Sequence, residues 1–386
     1  MNSGRVETPF GAQTLIVETG KLAKQANGAV MVTYGGTSVL VTACMSKVPR
    51  AGIDFFPLVV EYQEKTYSAG QIPGGFFKRE GRPTQKEILT ARVIDRPIRP
   101  LFPEGLFNEV QIVGTVLSSD GENDPDVLAM IGASAALEIS DIPFFGPIGG
   151  ARVALVDGQL VLNPTYAQRE LAQLELTVAG KEAGIVMIEG ESKEIPEDKV
   201  MEALEFASQQ LGVVLDLQKK LKAQCGKPKT DVDTNPANPA LIKKIREAAS
   251  QRLTEVYKIS DKLEREQARD ALITDLIEDM DIYDECKRND EEEIVAADVC
   301  KLMDRIEYDE VRRLIFEEGR RADGRGLKDV RNLSGEVTIL PRTHGSSLFT
   351  RGQTQSLGVV TLGTKRDEQL VESLEGTTYE NFMLHY

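Results

Sequence analysis

One short pattern occurs twice in this chain, and it constrains the fold more than any other feature. Both stretches, Gly28–Leu40 and Gly345–Leu357, read Gly-x4-Thr-x-Gly-x-Thr-x2-Leu, with short apolar runs on either side of the glycine turn. Apolar runs that flank such a turn are typical of a β-hairpin. The pattern therefore predicts a strand-turn-strand unit that is used twice.

The second copy is expected to be incomplete. Leu58–Tyr62 of the first copy has its counterpart at Phe382–Tyr386, where the printed sequence stops, whereas the first copy continues to about Cys225. The second copy would then lack a stretch of similar length. We expect any function of that stretch to be missing as well.

Composition indicates an ordinary soluble globular protein. Of its 386 residues 41% are hydrophobic and 28% are charged, which is enough for two or three cores. No basic and apolar leader follows Met1, and no apolar run approaches the length that spans a membrane. We expect a cytoplasmic protein without membrane association.

Cysteine and histidine are too sparse for several kinds of site. Four cysteines stand singly, without the spacing of a zinc site or a disulfide framework, so we expect buried, reduced thiols. They are Cys44, Cys225, Cys286 and Cys300. The two histidines, His344 and His385, argue against histidine-ligated metals and against a Ser-His-Asp triad.

Charge is segregated along the chain, although the formal net charge is −15. Seven cations stand against three acids between Phe76 and Arg99, whereas ten acids stand against two cations between Asp275 and Glu293. The local sign of the charge decides which partners a surface attracts. The first segment is therefore compatible with a nucleic-acid partner.

Periodicity predicts an α+β protein in four parts. Residues 1–226 mix β-rich runs with a few helices, residues 227–239 form a linker, residues 240–318 have the period of helices, and residues 319–386 begin the second copy. The predicted strands are Ala29–Thr33, Ser38–Ala43, Phe55–Glu61, Val110–Leu117, Arg152–Val156, Leu174–Ala179 and Ile185–Glu189. Proline-containing starts predict helices after Asp124 and Ile195, the second one to about Leu221.

A glycine-framed loop, Gly70–Arg82, carries two phenylalanines followed directly by cations. Phe76 and Phe77 either fold onto the core of their own domain, as adjacent apolar residues usually do, or stay exposed. Exposed rings beside Lys78 and Arg79 would offer stacking faces and positive charge to single-stranded nucleic acid. The spacing leaves both interpretations open.

Three arginines follow the loop, on a helix that is predicted to begin near Thr84. Arg92 and Arg96 lie four residues apart on one helical face, and a proline directly after Arg96 and after Arg99 predicts an extended exit from the helix. Guanidinium groups suit phosphate oxygens. Bridges to Glu87 and Asp95 are the structural alternative, and both remain open.

The two copies differ within their shared pattern. Arg351 stands where the first copy has Tyr34, and His344 stands where it has Asn27. These differences favour the second copy as the functional one.

The segment Ser118–Pro125 precedes a helix, and a helix N-terminus is a natural anion site because its amides lack partners. Acidic side chains crowd this one, and their charges would repel an anion. They are Asp120, Glu122, Asp124 and Asp126. We expect the first copy to have lost its anion site.

Long stretches of the chain resemble the polynucleotide phosphorylase family. The matching stretches are Pro73–Pro83, Ile94–Pro103, Gly105–Val110, Met130–Leu137, Gly319–Arg325 and Leu340–Gly345. The resemblance implies a first ribonuclease-PH-like domain with the ribosomal protein S5 domain 2-like β-α fold. It implies next an all-helical domain and the incomplete start of a second ribonuclease-PH-like domain.

The resemblance also implies an activity. In the family, inorganic phosphate attacks the 3′-terminal phosphodiester of single-stranded RNA and releases nucleoside diphosphates, processively and reversibly, with Mg²⁺ assisting. This polyribonucleotide nucleotidyltransferase activity serves mRNA decay. The implied partners are RNA, two further copies in a homotrimeric ring, and components of the RNA degradosome.

The family's RNA-guiding residues have counterparts here, but its catalytic residues do not. The implied RNA-binding residues are Phe76, Phe77, Lys78 and Arg79 in the pore, with Arg92, Arg96, Arg99, His344 and Arg351 near the 3′ end. The family's phosphate and metal ligands correspond to positions past Tyr386. We therefore predict no catalytic or metal-binding residue within this chain. We expect residues 1–386 alone not to turn over RNA.

Two other functions stay open. The chain could be a non-catalytic RNA-binding or ring-scaffold protein that uses the Phe76–Arg99 region. It could also be a partner-binding module that acts through the acidic helical domain, although such blocks are usually solvated bundles.

Overall fold

The structure is a computed structural model that describes residues 3–50, 53, 55–74, 76–232, 239–279 and 292–386. The chain divides into two compact units. The first comprises Met1–Thr234 and Asp367–Tyr386, and the second comprises Asn235–Arg366.

Two β-sheets form the framework of the first unit. Their strands are β1 (Gly4–Phe10), β2 (Gln13–Thr19), β3 (Gly28–Tyr34), β4 (Thr37–Pro49), β5 (Leu58–Glu64), β6 (Asn108–Ser118), β7 (Gly149–Val156), β8 (Gln159–Leu162), β9 (Leu174–Lys181) and β10 (Gly184–Ser192). The six-stranded sheet has the order β1-β2-β3-β4-β6-β5, and the four-stranded sheet has the order β10-β9-β7-β8. Neighbouring strands are antiparallel except β5 and β6, which are parallel.

Helices pack on these sheets and complete the core. They are α1 (Gln85–Ile98), α2 (Asp126–Ile139), α3 (Tyr166–Leu171) and α4 (Glu197–Cys225). Every residue of α2 is buried, because this helix contacts strands of both sheets and α4 and is apolar on all sides. The α2 helix therefore lies at the centre of the unit, and its N-terminal end adjoins the loop that follows β6.

The structure confirms the predicted strands and helices of this unit with small shifts. All seven predicted strands occur, although β5 begins at Leu58 and leaves Phe55 outside. Pro125 is the N-cap of α2 rather than a residue of its first turn, and α4 follows Pro196 and runs past Leu221 to Cys225. The α+β fold class is confirmed.

The predicted extended exit after Arg96 is wrong. Pro97 lies inside α1, and residues Arg99–Leu101 continue as a 3-10 turn. A proline in the last turn of a helix removes only one hydrogen bond. Burial of the neighbouring Ile94 and Ile98 in the core outweighs that loss and keeps the turn helical.

The predicted linker begins as part of the first unit. The Lys229 ammonium donates to the carbonyl oxygens of Leu137 and Ser140 at 2.7 and 2.9 Å. These oxygens lie at the end of α2, where carbonyls lack partners within the helix. Residues 233–238 of the linker lie outside the described residues.

Among the described residues, three helices and a small sheet form the second unit. They are α5 (Pro239–Val256), α6 (Lys262–Glu278), α7 (Glu292–Glu317), β11 (Leu333–Val337), β12 (Gly345–Arg351) and β13 (Thr354–Val360). The helices share a core that includes Ile245, Leu272 and Ile306, as the helical period predicts. The helical period also places Ala248 and Ala271 on this face, but both are exposed.

Both copies of the repeated pattern form the predicted hairpin, β3-β4 and β12-β13. In each, strand pairing ends directly at a two-residue turn. The first turn residues, Gly35 and Gly352, have φ values of 59° and 63°, a left-handed conformation that favours glycine. The repeat is therefore one of backbone geometry as well as of sequence.

The expected counterpart of β5 does not form a strand, since residues 381–386 contain neither helix nor strand. The hairpin before them, β14 (Gln369–Ser373) and β15 (Gly376–Glu380), belongs to the first unit, and its Leu374 is buried in that unit's core. By contrast, β12 and β13 expose apolar side chains such as Phe349 and Leu357. The four domain boundaries stay predictions.

The prediction of buried thiols is wrong for Cys44 and Cys300, which are exposed, while Cys225 is half-buried. Cys44 follows the buried Ala43 on β4, and alternate residues of a strand point to opposite faces. Cys286 and the rest of the acid-rich segment 280–291 lie outside the described residues. No helix in the described part of the chain is long and apolar enough to span a membrane.

Candidate nucleic-acid interface

The Gly70–Arg82 loop presents its two phenylalanines to solvent. Phe76 and Phe77 are 94% and 80% exposed, so they do not fold onto their own core. Their rings meet edge to face, with centroids 5.4 Å apart and planes at 87°. The structure thus leaves the ring faces open to a ligand.

The base of the loop is tied down although its tip is exposed. The Glu80 carboxylate accepts the amide and the hydroxyl of Thr66 at 3.1 and 3.0 Å. Residues Thr66–Ala69 form a 3-10 turn that Gly70 closes in the left-handed conformation. The loop therefore leaves and rejoins the domain at a defined place. Gly75, between the fixed ends, lies outside the described residues.

Cations surround the exposed rings. Lys78, Arg79 and Arg82 are exposed, and no ion pair involves them among the residues that the structure describes. Lys78 has a φ of 49°, a strained value for a residue with a side chain. Aromatic faces beside unneutralised cations are the combination that single-stranded nucleic acid requires.

The α1 helix begins with a capping box, in which Thr84 and Glu87 exchange side-chain to backbone hydrogen bonds. Glu87 also accepts the amide of Glu64 at 2.7 Å. Both of its oxygens therefore accept backbone amides. The bridge from Glu87 to an arginine, which was the structural alternative, does not form.

The three arginines of this region have different surroundings. Arg99 pairs with Asp95 at 2.8 Å and donates to the backbone oxygens of Phe56 and Leu58. Arg96 pairs with Glu189 at 2.9 Å. Only Arg92 is exposed without an ion pair to another described residue. The structure therefore places Arg99 in a bridge, leaves Arg96 in an exchangeable surface pair, and leaves Arg92 available.

Lys86 is not available to a phosphate either. Its ammonium pairs with Glu64 at 3.0 Å and with Glu375 at 2.7 Å. It also lies 5.6 Å from the centre of the Tyr166 ring. Lys86 thus connects α1 to the β14-β15 hairpin. Its two glutamate partners lower the net positive charge that the sequence indicates for this segment.

His344 and Arg351 belong to the second unit. The His344 ring accepts the amide of Leu362 at its Nδ1 atom, at 2.9 Å. Its Nε2 atom therefore carries the proton in the neutral ring. Arg351 ends β12 opposite Thr354, is exposed, and has no ion pair with another described residue. Both side chains remain able to donate to an anion.

The loop before α2, where we expect an anion site to have been lost, holds a carboxylate of the chain itself. The Asp120 carboxylate accepts the backbone amides of Gly36, Glu122 and Asn123 at 2.8 to 2.9 Å and the hydroxyl of Thr37 at 3.0 Å. Burial acts to raise the pKa of Asp120, but the donors, led by Asn123, lower it to about 2. An external anion is therefore excluded by occupation of the site, as well as by repulsion.

A buried ion cluster beside this loop was not predicted from the sequence. Arg152 of β7 donates to Asp124 at 2.8 Å and to Asp126, and Arg169 of α3 also pairs with Asp124. Burial acts to raise the pKa of Asp124, but the charges of Arg152, Lys86 and Arg169 hold it well below its ordinary value. These partners are 26 to 45 positions apart, so local spacing could not reveal them.

These acids do not fit the magnesium ion that the resemblance implies. Asp124 and Asp126 are already bound by arginine. Among the described residues no group of three or more histidine, cysteine, aspartate or glutamate side chains could hold a metal ion.

Comparison with known proteins gives matches along most of the chain. The model of the 3′ exoribonuclease family, domain 1, matches residues 11–143, and that of its domain 2 matches residues 146–210. The RNA-binding domain of polyribonucleotide nucleotidyltransferase matches residues 240–326.

Curated relatives are similar over the whole chain. A polyribonucleotide nucleotidyltransferase of Parvibaculum lavamentivorans is 47% identical over 99% of this chain and 52% of its own length. Its namesake in Granulibacter bethesdensis is 49% identical over 100% of this chain and 52% of its own length. The chain therefore spans about half the length of the curated relatives it matches.

A crystal structure of rice (Oryza sativa) Rrp46 also aligns with the chain, at a TM-score of 0.45 and 13% identity. The alignment covers 55% of this chain and 94% of that one.

Proposed function

We propose that this chain, which belongs to the polyribonucleotide nucleotidyltransferase family, guides single-stranded RNA within a phosphorolytic 3′-to-5′ exoribonuclease. The whole enzyme would release nucleoside diphosphates by using inorganic phosphate, and would run in reverse as a polymerase. The observation that carries the proposal is the pair of exposed rings, Phe76 and Phe77, beside Lys78 and Arg79, which have no ion pair with a described residue.

The loop suits a strand of any sequence. Stacking on Phe76 and Phe77 uses the π-face that every base has, while Lys78 and Arg79 act on the phosphates. Neither contact reads base edges, so the strand can slide from one nucleotide to the next. This is the binding that a processive exonuclease needs.

We assign unequal roles to the other cations. Arg92 and Arg351, exposed and without an ion pair to a described residue, would contact phosphates directly. His344 would donate from Nε2, since its Nδ1 accepts the Leu362 amide. Arg96 would have to exchange Glu189 for a phosphate. Arg99 would act as a positioning residue that pairs with Asp95 of α1 and holds this end of the helix to the backbone oxygens of Phe56 and Leu58.

The remaining assignments extend the same proposal. The whole protein would be a cytoplasmic homotrimeric ring that acts in mRNA decay, with degradosome components as further partners. A non-catalytic RNA-binding or ring-scaffold protein would use the same loop. Phosphate-dependent release of nucleoside diphosphates by the whole protein distinguishes the enzyme from the scaffold.

We expect purified protein of residues 1–386 to release no nucleoside diphosphate from poly(A). The anion position of the first copy is occupied by Asp120, and the resemblance implies that phosphate and Mg²⁺ bind elsewhere. Thin-layer chromatography of labelled product, with and without inorganic phosphate, measures this. Phosphate-dependent release by this protein would contradict the expectation.

Replacing Phe77 with alanine or Arg79 with alanine should weaken binding of single-stranded RNA by the whole protein. Loss of one stacking face is expected to reduce affinity about ten-fold or more, equally for different sequences. Loss of Arg79 should lower the slope of log K against log salt by about one. Fluorescence anisotropy with a labelled oligonucleotide at several salt concentrations measures both effects.

Two substitutions outside the loop serve as matched controls. Phe145→Ala removes another exposed ring, and Arg5→Ala removes a cation of β1 that is paired with Glu7. Both should leave RNA affinity within about two-fold, because neither side chain lies on the loop. Equal effects of loop and control variants would overturn the assignment of the loop.

A further inference from the structure

A stripe of three side chains on α7 has the same chemical character as the loop. Tyr308, Arg312 and Phe316 follow one another at four-residue intervals, which places them on one helical face. The Arg312 guanidinium carbon lies 5.5 Å from the centre of the Tyr308 ring and 4.9 Å from that of Phe316. The cation is thus held between two rings.

Folding of the second unit does not account for this stripe. The core of the unit takes the opposite face of α7, with Met303, Ile306 and Leu314 buried. One apolar face is all that a helix of a bundle needs. Tyr308 and Phe316 are nevertheless 61% and 72% exposed, and exposed large rings cost solubility unless something binds them.

The acids around the stripe already have cationic partners, although one arginine serves three of them. Arg313, the sequence neighbour of Arg312, pairs with Glu310 at 2.8 Å, with Glu317 at 3.2 Å and with Glu318 at 3.0 Å. On the flank, Asp309 pairs with Arg246 at 2.9 Å.

Arg312 itself has no carboxylate partner among the residues described. It is therefore a cation held on an aromatic platform and left for an anion from outside.

We propose that Tyr308, Arg312 and Phe316 form a second stacking site for single-stranded RNA, an inference that rests on the proposed function. Bases stack on the outer faces of the two rings, and Arg312 donates to a phosphate between them. The two ring positions are eight residues apart, so they are separated by about 12 Å along the helix axis. The site therefore contacts a strand at two points and carries no sequence preference.

RNA fits this stripe better than a protein partner does. Charge complementarity requires an anionic ligand, and the stripe repeats the ring-and-arginine chemistry of Phe77 and Arg79. The matched family model for residues 240–326 is described as an RNA-binding domain, but it does not say which residues bind.

A tryptophan reporter tests the proposal, because the chain contains no tryptophan. The Phe316→Trp variant then contains a single indole, and a base that stacks on this indole quenches its fluorescence. Titration of this variant with an oligo(A) strand should give saturable quenching that weakens as salt is added. Leu263→Trp, an exposed position on α6 of the same unit, is the matched reporter and should not be quenched.

Affinity measurements on the same chain separate stacking from charge. Phe316→Ala should weaken oligo(A) binding about ten-fold. Arg312→Ala should also weaken it and lower the salt slope by about one. Lys243→Ala removes a cation from α5 that lies 3.8 Å from Glu247, and it should change affinity less than two-fold.

The outcomes separate the inference from the proposed function. Quenching of a Phe77→Trp reporter without quenching of Phe316→Trp overturns the stripe and leaves the function intact. If neither reporter responds to RNA, the RNA-guiding function of this chain fails as well. If Phe316→Trp becomes shielded with rising protein concentration and the mass doubles, the stripe is an interface between copies, and the RNA site is overturned.

Discussion

Replacing Arg152 with methionine is expected to lower the free energy of unfolding of the first unit by about 3–5 kcal/mol. Arg152 is buried and pairs with Asp124, Asp126 and Glu175. Methionine fills a similar volume but supplies no charge. The carboxylates would then remain in a desolvated place with only Arg169 paired to Asp124 and the charge of Lys86 nearby. An undercompensated buried charge is among the most destabilising changes a domain can undergo.

Hydrogen exchange of the α2 amides measures the effect, because it reports on this unit separately from the helical one. Arg96→Met is the matched control, since Arg96 is half-exposed and has a single partner, Glu189. Its expected cost is at most about 1 kcal/mol. Similar losses in the two variants would show that the buried cluster does not stabilise the fold as we infer.

A triple variant tests the cause. Replacing Asp124 and Asp126 with asparagine in the Arg152→Met background removes the orphaned charges together with their partner. Replacing a whole buried ion cluster by neutral residues is often close to neutral. Part of the lost stability should therefore return, and a further loss would mean that desolvated charge was not the cause.

Replacing Gly28 with alanine is expected to destabilise the first unit by about 2–3 kcal/mol or more. A β-carbon at this position of β3 would lie 2.0 Å from the carbonyl oxygen of Ala136 and 3.0 Å from the β-carbon of Ser140. Both atoms belong to the end of the central helix or the residue after it. Strand and helix backbones cannot separate there without opening the core. Alanine normally stabilises a strand relative to glycine, so the predicted sign is the reverse of the ordinary one.

The repeat supplies the matched control for this substitution. Gly345 holds the same place in the second hairpin, where a new β-carbon would meet only the β-carbon of Val360, at an ordinary 3.6 Å. Gly345→Ala should leave stability unchanged or raise it by about 0.4–1 kcal/mol. Hydrogen exchange in β3 and in β12 measures the two changes in one experiment. A loss at Gly345 equal to that at Gly28 would contradict the assigned close approach.

The candidate interface could be located from the sequence. The sequence did not show which of its side chains are exposed and without an ion pair. Phe76 and Phe77 stood in a glycine-framed loop, and whether they were buried depended on a fold that spacing does not show. The sequence pattern did not distinguish Arg92, Arg96 and Arg99 from one another. The structure distinguishes them because Glu189 lies beside Arg96 and Asp95 faces Arg99, while Arg92 has no ion pair with a described residue.

Pro97 shows the same limit in the fold. The preference of the residue before proline predicted an extended exit, which is a local tendency of modest size. Burial of the flanking isoleucines in the core decided for helix, because core contacts outweigh a single lost hydrogen bond. The local preference and the tertiary packing favour different backbone conformations here, and the helix that packing favours is the one that forms.

The sequence by itself determined most elements of the first unit, but not β1, β2, β8 or α3. It could do so because strand and helix periods and glycine turns depend on neighbours a few residues away. It also determined the family and the repeated hairpin, whose turn glycines have nearly the same φ in both copies. Only the tertiary structure decided which charges remain available. Asp120 fills the anion position, and Arg152 and Arg169 pair with Asp124 and Asp126. Such contacts act through space between residues that are distant along the chain.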